Sequence, residues 1–261
     1  MRSSGPPARG LWLLLPLLPL ADPPLHAQVN IEALRRADLS HGLAGTLTTE
    51  LSVSTGSVNL VQLGISGRLD YVSGSATTFF VGQGSIGFLR GSRFTNAGLV
   101  HLRQSVAVRP WLVPEAYLQA DYDEGRLLDL RVLGGGGLRV RIADAPHARL
   151  WAATGAMVEH ERLALPDTVG NDPRTTVVRS SSYVALRATA ADNLVVSSTT
   201  YVQPQVSELG DVRVLENIAL AVAVTRTVAL AVAFDLRYDS RPPVTVPSLD
   251  TTLKSGVTLR F

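Results

Sequence analysis

The chain has 261 residues, 24 lysines and arginines against 22 aspartates and glutamates, and no cysteine. Near-neutral charge argues against a nucleic-acid partner, and the missing thiol excludes a disulfide framework, a thiolate zinc site and a cysteine nucleophile. Beyond the first residues no apolar run reaches the roughly 18 residues of a membrane-crossing helix.

At the start of the chain, Arg2 and Arg9 flank the entry to an apolar run over residues 11–20. Positive residues, a short apolar core and a small residue beyond it make a secretory signal. Cleavage after Ala27 defines a signal peptide over 1–27, with Ala21 as the alternative position. Residues 28–42 then form a short leader in which Ile31, Leu34 and Leu39 stand among Glu32, Arg35, Arg36 and Asp38.

From residue 43 onward, apolar and polar residues alternate in segments of about 12 to 16 residues separated by turn chemistry. In 43–55, Leu43, Leu47, Leu51 and Val53 oppose Thr46, Thr48, Glu50 and Ser52. In 58–72, Val61, Leu63, Ile65, Leu69 and Tyr71 oppose Gln62, Ser66, Arg68 and Asp70. Segments 77–90, 95–109 and 111–124 continue the rhythm, the last setting Leu118, Ala120 and Tyr122 against Glu115, Gln119, Asp121 and Asp123. In 126–142, Leu128, Leu130, Val132, Leu138 and Val140 oppose Asp129, Arg131, Arg139 and Arg141. The remaining segments are 148–162, 176–191, 193–206, 211–225, 227–239 and 249–261, which makes twelve.

An even number of long alternating strands predicts an all-β, antiparallel outer-membrane β-barrel over 43–261, with ten or fourteen strands as the alternatives. The apolar faces meet lipid and the polar faces a lumen. The two longest connections, 163–175 and 240–248, follow the seventh and eleventh strands, whereas short turns such as 191–193 and 225–227 follow even ones. Long outer loops and short periplasmic turns are the asymmetry of such barrels. The closing segment ends on Phe261, an aromatic carboxy terminus that reads as the signal for the barrel-insertion machinery, in a strand placed to pair with the first.

Catalytic patterns are weak. His101 and Ser105 share a face but stand about 13 Å apart along a strand, too far for a hydrogen bond. His160 falls on the lipid-facing register with Val158, and His26, His41 and His147 lack partners at ligand spacing. Gly134 to Gly137 lacks the lysine and helix of a phosphate loop and reads instead as a bend or a close approach in the barrel wall. No enzyme, metal or cofactor is expected.

The strongest functional signal is charge on the inward register. The acidic members are Glu50, Asp70, Glu115, Asp121, Asp129, Glu159, Glu161 and Asp235; the basic ones are Arg68, Arg103, Arg131, Arg139, Arg141, Arg187, Arg213, Arg237 and Lys254. Mixed signs in a confined lumen predict cross-strand ion pairs that stiffen a narrow barrel, or line a small channel for an ion or solute.

The stretches LDLRVLGGGGL (128–138), STTYVQP (198–204) and DLRYDSRPP (235–243), with VNIEALR at 29–35, resemble the YdiY-like family of salt-induced outer-membrane proteins. The resemblance implies a bacterial outer-membrane barrel without an established biochemical role, and supplies no catalytic residue. This chain departs from the family in having alanine and valine where aromatics are usual. Trp111, Tyr122 and Tyr238 remain to form an interfacial girdle. The expected function is a structural or narrow-channel barrel in the envelope, linked to salt response only through that label. The alternatives are an outer-membrane lipid or ester hydrolase and a soluble secreted β-domain.

Overall fold

A computed structural model describes residues 41–56, 59–165, 173–225 and 228–259. The signal peptide, most of the leader and Phe261 fall outside the described residues, as do the side chains of Glu50 and Lys254. Alternation dictates the result: extended chain with period-two patterning can bury one face only by pairing laterally into a sheet.

Thirteen antiparallel strands form one sheet: β1 (Gly42–Ser54), β2 (Leu60–Ser73), β3 (Ala76–Leu89), β4 (Ser92–Val106), β5 (Leu112–Asp123), β6 (Leu128–Ala145), β7 (Ala148–Leu163), β8 (Arg174–Ser180), β9 (Ser182–Ala191), β10 (Leu194–Gln205), β11 (Glu208–Ala223), β12 (Val228–Asp239) and β13 (Leu249–Leu259). They occupy twelve positions, because β8 and β9 both lie between β7 and β10. The single strand expected over 176–191 is interrupted at Ser181. The register places Pro204 of β10 opposite Ser180, and a proline cannot donate a ladder hydrogen bond there.

The connections separate the two ends of the sheet. The end of β7 at Leu163 and residues 240–248 lie at one, the long-loop end, while Gly74-Ser75 and Asp192-Asn193 lie at the other, the short-turn end. At the long-loop end, a two-residue turn joins β3 to β4 with positive φ at both Arg90 (52°) and Gly91 (83°), the hand that matches strand twist. The four glycines of β6 pair in unbroken register with β5 and β7. A Cβ at Gly137 would stand 2.5 Å from the Thr154 carbonyl, and one at Gly155 2.2 Å from that of Gly136, so β6 and β7 approach closely.

Side-chain contacts across the interior show that the sheet is curled into a tube. Tyr183 of β9 reaches Glu115 of β5, Arg213 of β11 reaches Glu159 of β7, and Arg126, in the turn after β5, reaches Asp250 of β13. Among the described residues no ladder joins β1 to β13, so the expected pairing of the last strand with the first is not among the observed contacts. The outer face carries Leu43, Leu47, Leu63, Ile65, Leu69, Val100, Leu118, Val158, Leu220 and Leu253 exposed, and charged residues such as Asp70, Arg131 and Glu159 are buried on the inner one.

Candidate functional site in the barrel lumen

The inward charges form two groups at different heights. At the long-loop half the organising residues are three arginines. Arg131 of β6 spans Asp121, through Nε at 3.3 Å and Nη2 at 2.8 Å, and Glu161 through Nη1 at 3.4 Å. Arg213 of β11 uses every nitrogen: Nη1 donates to Glu159 at 2.7 Å, Nη2 to Glu161 at 2.9 Å and Nε to Asp239 at 2.9 Å. Arg179 of β8 donates from Nε to Glu159 at 3.0 Å and as a fork to Asp211 at 2.9 and 3.2 Å. The lattice ties β5, β6, β7, β8, β11 and β12 together. Arg126 adds a second link, to Asp123 at 3.2 Å and to Asp250.

Burial makes this arrangement consequential. Arg131 is 2 % exposed and Glu159 1 %. Charges removed from water are tolerated only when paired with good geometry, and planar guanidinium forks provide it. Above the lattice lies a cavity of about 690 Å³ walled by Arg237, Arg241, Pro242, Pro243, Val246 and Pro247 among others. Arg237 keeps Nε and Nη1 buried without an acceptor.

The short-turn half is built differently. Arg68 forks onto Asp70 at 2.7 and 2.5 Å and lies 4.5 Å above the Phe79 ring. His101 is stacked between Phe79 and Tyr117, at 5.8 and 5.9 Å between ring centroids. Arg103 lies 5.0 Å over Tyr117 and bonds Glu115, which also accepts from Ser105 and Tyr183. Arg139 rests 3.8 Å over Trp151. Here cations are held by ring faces as much as by carboxylates.

Of the residues placed inward by the alternation, Arg68, Asp70, Arg103, Glu115, Asp121, Arg131, Arg139, Glu159, Glu161 and Arg213 are buried. Asp235 accepts from Asn217 at 2.6 Å, and Arg187 lies on the inward register near the short-turn rim. Glu50 and Lys254 stand opposite Gly64 and Ala233, with their side chains outside the described residues.

Asp129 is a correction. It faces outward, exposed, paired with Arg162 at 2.5 Å, and Leu128 takes the inward place instead. The cause is a β-bulge: Leu128 opposes Leu163 but Leu130 opposes Arg162, so one extra residue inverts the parity before Arg131. Other lumen members stand outside the charge set read from the alternation, among them Asp123, Asp250 and Arg149. Asp211 and Asp239 share parity with Arg213 and Arg237 and were legible from it. Arg179 sits in the weakly alternating run of β8, and Arg126 lies in a turn.

Possible nucleophile–base pairs do not assemble in the lumen. Ser105 donates to Glu115 and His101 Nδ1 meets Gln119 at 3.1 Å. On the outer face His160 Nδ1 lies 2.7 Å from the Thr176 hydroxyl. Also outward, at mid-strand, Glu216 accepts from Ser198 at 2.8 Å and from Thr200. Trp111 is exposed at the short-turn end, and Tyr122 and Tyr238 at the long-loop end, as a two-sided girdle requires.

A protein family described as "Protein of unknown function, DUF481" matches residues 51–261, and the YdiY-like resemblance fits it. No curated protein matches the chain. Among solved structures, the NanC porin in a rhombohedral crystal form aligns with a TM-score of 0.45 at 7% identity, covering 83% of this chain and 99% of that one.

Proposed function

We propose that this chain, which belongs to the DUF481 family, is a non-enzymatic outer-membrane β-barrel, closed at its long-loop end by the Arg131–Arg179–Arg213 lattice. Its role is structural, or that of a channel too narrow to pass solutes while the lattice is intact. One observation carries the reading: the faces of a single sheet are inverted relative to a water-soluble protein. Large aliphatic residues are exposed outside while arginines and carboxylates are buried within. A water-soluble sandwich would bury the first and solvate the second. The two longest connections, β7 to β8 and β12 to β13, fall at the same end, and exposed aromatics flank the apolar band, as lipid embedding favours.

The test pairs two measurements on refolded protein. Electrophoretic mobility that changes on boiling is expected of the barrel, with little or no conductance in a planar bilayer. Identical mobility before and after boiling contradicts it.

A hydrolytic reading has one point in its favour, the His160–Thr176 contact. Among the described residues no third group orients that imidazole, as acyl transfer requires. Ester hydrolysis abolished by His160→Ala would establish the hydrolase.

A further inference from the structure

The short-turn mouth of the lumen gathers four arginines around one indole and one carboxylate. Ala153 and Ala185 pack inward against Tyr183, Tyr201 and Leu215, so the residues two and four further toward that mouth, Trp151, Arg149 and Arg187, share the inward face. Arg149 of β7 and Arg187 of β9 stand directly opposite each other in the ladder. Like charges facing across a strand pair repel, so this pairing costs stability unless an anion intervenes.

The surrounding groups do not neutralise it. Asp144 serves two cations at once, accepting from Arg141 Nη1 at 2.5 Å and lying 3.3 Å from Arg149 Nε. Arg139 lies 3.8 Å from the centre of the Trp151 ring and Arg141 5.7 Å from it, so both cations gather at the indole. Arg187 makes no hydrogen bond or ion pair among the described residues, and Asp192 in the adjoining turn does not reach it. Ser197 of β10, opposite Arg187, offers a hydroxyl on the same face. Arg149 is 57 % exposed and Arg141 28 %, so a solute at the mouth can meet them. Arg187, which has no carboxylate partner among the described residues, contrasts with the long-loop lattice, where Arg131, Arg179 and Arg213 are all paired with carboxylates.

We infer that this mouth is a binding site for a small phosphate-class oxyanion, held by the guanidiniums of Arg139, Arg141, Arg149 and Arg187. Planar forks match the tetrahedral oxygens of such an anion, and the Arg149–Arg187 pair supplies the repulsion that its binding relieves. The inference rests on the barrel reading, because the inward direction of these strands makes the site a lumen mouth.

The test uses the refolded full chain in a nonionic detergent, with boiling-dependent mobility verified first. An unshifted band overturns the barrel reading itself. A shifted band without a calorimetric response overturns only the site. Titration with inorganic phosphate at constant ionic strength is expected to show one saturable site. Arg187→Gln and, separately, Arg149→Gln should each weaken it about tenfold or more, the loss of a charge-assisted pair. In phosphate-free buffer Arg187→Gln, which removes the like-charge pair and leaves the Arg149–Asp144 contact in place, should resist urea better than wild type; a structural role alone would weaken the barrel. Unchanged phosphate affinity in both variants overturns the proposal. A short-chain phosphatidylglycerol in place of phosphate distinguishes a lipid headgroup as the source. Phosphate binding at least tenfold tighter is expected of an inward site, and the reverse order overturns it.

Discussion

The two halves of the lumen hold similar side chains by different means. In the long-loop half, Arg126, Arg131, Arg179 and Arg213 face seven carboxylates, Asp121, Asp123, Glu159, Glu161, Asp211, Asp239 and Asp250. In the short-turn half, Arg68, Arg103, Arg139, Arg141, Arg149 and Arg187 meet Asp70, Glu115 and Asp144, and the faces of Phe79, Tyr117 and Trp151. The first arrangement crosses the tube, Arg213 of β11 reaching Glu159 and Glu161 of β7. The second lines the wall and places Arg149 and Arg187 at the rim. Forks shared between several carboxylates tie distant strands together, whereas arginines over ring faces stay close to the strands that carry them.

Removing one hub of the lattice should have the largest effect. Arg213→Met takes one partner from each of Glu159, Glu161 and Asp239, and breaking a buried pair costs about 3–5 kcal/mol. Urea unfolding of the refolded barrel measures it. Gly137→Ala comes next, because its Cβ would meet the Thr154 carbonyl backbone at 2.5 Å, and overpacking there should cost about 1–3 kcal/mol. In the ring-held half, Phe79→Leu keeps the volume near constant but removes the surface under Arg68 and His101, a loss of about 1–2 kcal/mol. If Phe79→Leu proves as damaging as Arg213→Met, the contrast between the halves fails. Asp129→Asn should be smallest, below about 1 kcal/mol, since its pair with Arg162 is exposed on the outer face.

Much of the fold was legible because the side-chain period of a strand is two and a barrel obeys it for many strands in succession. Once the connections were counted, the strand number and the loop asymmetry followed. Inward charge was legible for the same reason, which is why Asp70, Glu115, Arg131 and Glu159 fall where alternation put them. Asp129 did not, because a bulge inverts parity without any mark in composition. The split between β8 and β9 depends on Pro204 in the next strand, thirteen positions beyond the end of β9, so it becomes visible only with the register known. The pairing itself, Arg213 with Glu159 across three strand positions, depends on curvature that no local pattern carries.

The central claim is that the lattice closes the long-loop end of a membrane barrel, and single-channel recording addresses it directly. Wild-type protein in a planar bilayer should be silent or nearly so, while Arg131→Ala with Arg213→Ala, in molecules that still show boiling-dependent mobility, should open steady conductance. Conductance in the wild type that the double substitution leaves unchanged would contradict the account.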